Sequence, residues 1–369
     1  MAVLTEEQTM LRDMAAEWVP DRAPVTAFRR VAHEKLGHDP ELWAEIAGTM
    51  GWAGILVPEE HGGSDFGYLS MGLVLEEMGR TLVASPLIAT GVLGVAALRL
   101  GGDAEQQTAW LARIATGEAI VAFACDEDGR HDPANVKLTA KRDGDGFRLD
   151  GVKAPVSEGV SARLLIVAAR DEAGKIVLLL VPGDAAGVTR TRLDRIDGRE
   201  AALIRFDGVT VGADAALTGG AALLDRVLDR GRAALAAEML GSATQAFETT
   251  IDYLKTRVQF GQLIGSFQAL QHRAVAMQGE LLMTRSAVEA ALTALDEDRD
   301  DAPMLVSLAK AIAGDTLRLC SREMVQMHGG IGMTEEHDAG LYYKRSATAD
   351  ATGGNSAFHR ERYARLAGY

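Results

Sequence analysis

The sequence predicts an α+β chain that is helical at both ends and sheet-forming in the middle. Three observations predict it. Apolar residues recur at three- and four-residue spacing up to about residue 120 and again from about 218, the pattern of helices that bury one face. Between these regions, from roughly 121 to 215, apolar and polar residues alternate around turns rich in Gly and Asp, as in strands. At 369 residues the chain also exceeds the ~250–300 over which one hydrophobic core grows, so two or three packed units are expected.

In the first region, residues 1–120, Thr5 and Gln8 form a capping-box pattern at a helix start. LWAEIAGTMGW (42–52) and YLSMGLVLEEMGRTL (68–82) carry helical periodicity, and PEEHGG (58–63) interrupts it as a loop. The longest apolar run, 86–98, is shorter than the ~18 residues a membrane span needs and contains Pro86 and Thr90, so it predicts a buried helix. In the central region, 121–215, DGDG (143–146) and DEAG (171–174) each separate two alternating runs, the signature of hairpins. ALIRFDGVTV (202–211) supplies a further strand of what reads as a small antiparallel sheet. The last region, 216–369, holds long segments rich in Ala, Leu and Met, long enough for a bundle. In MLVSLAKAI (304–312) the spacing places Leu305, Leu308 and Ile312 on one face.

With 38 basic and 52 acidic residues the net charge is −14, and no basic stripe is present to neutralise phosphates, so nucleic acid is excluded as a partner. Cys125 and Cys320 are too few for a disulfide framework, and MAVLTEEQTMLRDM carries acids where a leader would carry positive charge, so a cytoplasmic location is expected. The eight histidines include no HExxH and no close pair, and no metal site is expected. GGIG (329–332) lacks the spacing and strand context of a dinucleotide loop, and GNSAF (354–358) has Phe358 where a nucleophile elbow requires Gly.

Three stretches are more informative. RVQFGQLIGSFQALQH (257–272), MVQMHGGIGM (324–333) and GWAGILVPEEHGG (51–63) together resemble the acyl-CoA dehydrogenase family, and the resemblance spans essentially the whole chain in order. It implies an N-terminal helical domain, a central antiparallel β-domain and a C-terminal four-helix bundle. It also implies FAD held between subunits, its ADP half gripped by the neighbour's bundle. On that resemblance Arg257 and Gln259 match contacts to the neighbour's pyrophosphate and ribose, and Phe267 and Gln268 match those beside its adenine. Gln326, Gly329 and Gly330 match the second ADP-binding segment, and Asp229, Arg230 and Arg232 match a substrate-lining D-R-x-R segment. A guanidinium suits a phosphate pair, and glycines admit close approach. Taken singly, each stretch would read as a surface arginine, an amphipathic helix or a C-cap.

The family removes an α-proton from an acyl-CoA thioester while a β-hydride passes to the flavin, which requires a positioned carboxylate. Counting from Tyr343, Lys344 and Arg345 places that base at Gly353 or Gly354, and the alternative position on the first bundle helix is Gly231. None has a side chain, and Asp350 is the nearest substitute. FACDEDGRHDP (123–133) departs from the family's T-E-P-x-x-G-S-D pattern, and Pro155 stands where an aromatic residue commonly meets the flavin, leaving Ser157 for the ring edge. An ADP grip without a base resembles the base-lacking chain of heterotetrameric acyl-CoA dehydrogenases of steroid catabolism. The expectation is therefore a subunit paired with a base-carrying chain and served by an electron-transferring flavoprotein. A self-sufficient homotetramer using Asp350 and a flavin-free acyl-CoA-binding scaffold are the alternatives.

Overall fold

The computed structural model describes residues 3–369. Six helices open the chain: α1 (Glu6–Arg22), α2 (Val25–Glu34), α3 (Pro40–Ala44), α4 (Gly67–Arg80), α5 (Val95–Gly101) and α6 (Ala104–Ala115). Strands follow as β1 (Val121–Ala124), β2 (Thr139–Asp143), β3 (Gly146–Ser157), β4 (Leu164–Arg170), β5 (Ile176–Pro182), β6 (Val188–Arg192), β7 (Ala201–Val211) and β8 (Ala216–Leu217). After α7 (Gly220–Thr256) come a short hairpin of β9 (Val258–Gln259) and β10 (Gln262–Leu263), then α8 (Gln268–Asp296), α9 (Ala302–His328), α10 (Ala339–Ala351) and α11 (Ser356–Leu366). The residues fall into two compact units, each assembled from segments distant in sequence.

The sheet-bearing unit comprises Arg30–Gly67 and Ala84–Gly231. Its strands run β6-β7-β3-β2-β4-β5-β8, with β1 joined to β4. Both expected hairpins form: Asp143 faces Gly146 across the turn that Gly144 closes at φ +57, and Arg170 faces Ile176. The sheet is antiparallel except where β1 runs parallel to β4, from Val121 opposite Leu164 to Ala124 opposite Val167, and where Thr139 of β2 meets Arg170. No tight turn links β1 to its partner, so nothing forces reversal there. Leu149, Val167, Leu179, Ile204 and Phe206 fill the core against it. The apolar run at 86–98 is helical and buried, with Leu87, Val92, Val95 and Leu98 fully enclosed.

The helical unit comprises the segment ending at Arg29, then Tyr68–Val83 and Arg232–Tyr369. The predicted capping box starts α1, with Gln8 N donating to Thr5 Oγ1 at 3.2 Å and Thr5 N to Gln8 Oε1 at 3.1 Å. Two glycines bring α4 and α7 into backbone contact: a Cβ on Gly79 would lie 2.1 Å from the Glu238 carbonyl oxygen, and one on Gly241 only 1.8 Å from that of Glu76. Beside this crossing, Arg345 of α10 donates to Glu238 Oε1 through Nε at 3.1 Å and Nη2 at 2.8 Å, both side chains buried. On α9 the fully buried face is Val306, Ala309, Ala313, Leu317 and Cys320. Leu305, Leu308 and Ile312, the predicted inward face, are only half-buried. α9 packs against α8, α10 and α11, and close helix crossings select small residues, so the large apolar residues mark the looser side.

Candidate functional site

The Arg257–Gln268 stretch folds as an exposed arm of the helical unit. Gln259 pairs with Gln262, and the hairpin tip turns through Phe260 (φ +54) and Gly261 (φ +80). Phe260 is 89% exposed and meets Phe267 edge-to-face at 6.2 Å. Phe267 stands at the N-cap of α8 and supplies no capping side chain; its carbonyl takes the N–H groups of Leu270 and Gln271, which leaves those of Gln268 and Ala269 at the exposed helix start. Arg257 and Gln268 are themselves exposed.

The second predicted segment lies alongside. Gln326, Gly329 and Gly330 are exposed, and no atom comes within 4 Å of a Cβ built on either glycine. The two segments are joined by Tyr253 stacking on His328 at 4.3 Å, while His328 donates from Nδ1 to the Met324 carbonyl at 2.7 Å. A guanidinium, three carboxamides, a helix start without a side-chain cap and open glycines are donor types suited to a pyrophosphate and ribose, the chemistry of an ADP half.

The double glycine follows α10. Gly353 and Gly354 adopt φ +68 and +103, and three basic side chains hold their carbonyls. Arg232 Nε and His359 Nε2 both donate to Gly353 O at 3.0 Å. Lys310 Nζ donates to the carbonyls of Ala349, Asp350 and Gly354, each at 3.1 Å. Lys310 is fully enclosed, and burial lowers its pKa to about 7. Burial first, then Arg232 and Lys310, press His359 down to about 2, so its ring is neutral with the proton on Nε2. Asp350 is spent within the fold: Oδ1 accepts from Ser356 N at 3.0 Å and Ser356 Oγ at 2.8 Å, and Oδ2 receives Arg318.

Asp229, Arg230 and Arg232 lie well inside α7 and are buried. Arg230 Nη1 donates to the Arg226 carbonyl at 2.9 Å, and the Arg232 guanidinium sits 5.5 Å from the Phe358 ring centroid. At Gly231 a Cβ would strike Leu93 Cδ2 at 2.4 Å. In the sheet-bearing unit Ser157 ends β3, half-buried and opposite Ala201, while Pro155 is exposed. The adjoining acidic loop satisfies itself: buried Lys153 donates to Cys125 O at 2.9 Å and Glu127 Oε1 at 2.7 Å, and His131 Nδ1 bonds Asp126 Oδ1 at 2.8 Å. For the flavin ring this edge offers the Ser157 hydroxyl.

Three profiles cover the chain: Acyl-CoA dehydrogenase N-terminal domain over residues 5–118, middle domain over 122–209 and C-terminal domain over 218–367. Acyl-CoA dehydrogenase IpdE2 of Mycolicibacterium smegmatis is 31% identical over 345 residues, covering 93% of each chain. The chain belongs to the acyl-CoA dehydrogenase family. Members of this family are FAD-dependent flavoprotein oxidoreductases. Probable acyl-CoA dehydrogenase YngJ of Bacillus subtilis is 32% identical, covering 90% of both chains. Among solved structures, a Tcur3481-Tcur3483 steroid ACAD variant superposes with TM-score 0.90 at 32% identity over 98% of both chains. The ChsE4-ChsE5 complex from Mycobacterium tuberculosis superposes at 0.92 and 26% over 100% of both.

Lys310 and His359 went unnoticed in the sequence. A lysine inside an Ala-rich helix gives no local sign that its ammonium will cap a distant loop.

Proposed function

We propose that this acyl-CoA dehydrogenase chain grips the ADP half of a neighbour's FAD, lacks its own catalytic base, and works in a tetramer with a base-carrying homologue. The observation that carries this reading is the state of the base positions. Gly231 is packed against Leu93, Gly353 and Gly354 form a left-handed turn clamped by Arg232, His359 and Lys310, and Asp350 has both oxygens engaged.

In the family's reaction an α-proton leaves to a carboxylate while a hydride leaves the β-carbon, and bound FAD supplies the hydride acceptor. Arg257, Gln259, Phe267, Gln268, Gln326, Gly329 and Gly330 would hold the ADP half of the neighbour's FAD, and Ser157 would hydrogen-bond the ring edge of a separate FAD bound at this chain's own sheet-bearing unit. Asp229, Arg230 and Arg232 line the acyl end. With no free carboxylate at these positions, α-proton removal falls to the partner. The two paired names among the structural neighbours support a heteromeric assembly, and the word steroid in one of them supports a bulky acyl-CoA thioester as substrate. An electron-transferring flavoprotein takes the electrons, and the assembly acts in the cytoplasm. Among the described residues no helix is long and apolar enough to cross a membrane.

The test is the flavin-to-chain ratio and native mass of the purified chain, alone and co-expressed with a base-carrying homologue. Little FAD and no acyl-CoA oxidation alone, with both restored by co-expression, is the expected result. One FAD per chain in an active homotetramer would overturn the reading and return attention to Asp350. Absence of flavin from every assembly would leave the acyl-CoA-binding scaffold.

A further inference from the structure

Away from these residues, three side chains distant in sequence meet inside the sheet-bearing unit. His38 lies in the turn between α2 and α3, Glu158 follows the last residue of β3, and Glu200 immediately precedes β7. Each offers one ligand atom, and the three atoms lie within 4.8 Å of one another. All three residues are more than nine-tenths buried, at 8%, 8% and 1% exposure. His38 Nδ1 and Glu158 Oε2 have no hydrogen-bond partner.

Buried polar atoms without partners are uncommon and require a physical reason. Here one member of the cluster is rigid and two are uncommitted. Glu200 Oε1 accepts from Val160 N and Ser161 N at 2.9 Å each, and its Oε2 accepts from Ser161 Oγ at 2.7 Å. The Arg192 guanidinium forms an ion pair with Oε2 at 3.7 Å, without a direct hydrogen bond. The turn carrying His38 approaches so closely that a Cβ on Gly37 would lie 2.1 Å from Glu200 Oε2, so glycine is required for the imidazole to come alongside. Two buried carboxylates this near each other repel; Arg192, Arg195 and Arg199 offset part of that repulsion at Glu158, and a cation between the carboxylates or a shared proton would remove the rest.

We propose that His38, Glu158 and Glu200 bind one divalent first-row transition-metal ion with the coordination chemistry of Zn2+. One imidazole and two carboxylates suit zinc, which takes nitrogen and oxygen donors at ~2.0–2.2 Å in a tetrahedron, with water as the fourth ligand. Donor atoms in such a site are about 3.4 Å apart, so side-chain torsions must close the cluster by roughly 1 Å. Calcium, which takes six to eight oxygens, and magnesium, which keeps several waters, fit an enclosed site containing imidazole poorly. The ion ties the α2–α3 turn to the end of β3 and the start of β7, and so fixes the strand end that bears Ser157.

The experiment is metal analysis of the full-length chain by mass spectrometry after equilibration with Zn2+ and gel filtration, with thermal melts in Zn2+ and in EDTA. Near one zinc per chain is expected, with a melting temperature several degrees lower in EDTA. Glu158→Gln and His38→Ala should each cut bound zinc at least about five-fold, whereas Glu60→Gln, on the exposed loop of the same unit, should leave it unchanged. If either variant fails to fold, the wild-type measurements decide. Wild-type chain that takes up no zinc and melts identically in Zn2+ and EDTA overturns the proposal in favour of a proton-sharing carboxyl pair. Zinc retained in full by both folded variants overturns it in favour of adventitious surface binding.

Discussion

Lys310 Nζ lies 3.1 Å from the carbonyl oxygen of Gly354, in a loop that turns through two consecutive left-handed glycines. Nζ also lies 3.1 Å from the carbonyl oxygens of Ala349 and Asp350, so this one buried amine terminates α10 and fixes the turn.

That arrangement makes stability depend on pH. Burial lowers Lys310 from 10.5 to about 7 in the folded chain. Above about 10.5 it is neutral in both states and carries no ionisation penalty; between about 10.5 and 7 only the unfolded chain is protonated, so stability falls as pH falls; below about 7 the deficit is constant. The urea midpoint of the wild type should therefore rise between about pH 7 and 10 relative to Lys310→Met, which has no such proton. A wild-type-minus-variant difference that stays flat across that window would sink the account.

The two glycines should not be equivalent. Gly354→Ala places a Cβ 2.4 Å from Phe358 Cδ1 at φ +103, whereas at Gly353 the nearest atom is Arg232 Cγ at 3.4 Å. Losses of about 2–4 kcal/mol for Gly354→Ala and about 1 kcal/mol for Gly353→Ala are expected from equilibrium unfolding. Equal losses would mean that backbone strain alone is being measured.

At the α4–α7 crossing, Gly241→Ala should cost about 3 kcal/mol, because a Cβ 1.8 Å from a carbonyl oxygen forces whole helices apart. Ser242→Ala, which removes the hydroxyl contacts to the carbonyls of Gly79 at 2.8 Å and Glu238 at 3.2 Å, should cost about 1 kcal/mol. Thermal melts of the two variants give the comparison, and the reverse order would contradict close backbone packing.

Glu238→Ala leaves the Arg345 guanidinium buried without its carboxylate and should destabilise by roughly 3–5 kcal/mol. Replacing both residues with methionine should recover much of that loss. A double variant as unstable as the single one would show that the pair contributes more than mutual charge compensation.

For the cofactor arm, Arg257→Glu should lower the flavin content of the assembled protein at least about ten-fold while leaving its circular dichroism unchanged, since this exposed side chain supports no core contact. Flavin absorbance per chain is the readout, and retention of full flavin would remove Arg257 from the site.

Much of this was legible in residue order. Helical periodicity, short hairpin turns and a capping box are interactions among neighbours in the chain, so the pattern at 121–215 foretold a sheet and Thr5 with Gln8 foretold the start of α1. Contiguous motifs likewise carried the family, while the exposed hairpin at 257–268 came only from the structure. The packed face of α9 was misjudged because spacing counts large apolar residues, while the tight crossings use Ala and Gly. What folding alone decided is which distant groups meet: Lys310 under Gly354, Gly241 against Glu76, and His38 beside Glu158 and Glu200. Such meetings depend on how segments far apart in sequence cross in space. No local periodicity records them, and burial then sets whether those groups are neutral, paired or ready to hold an ion.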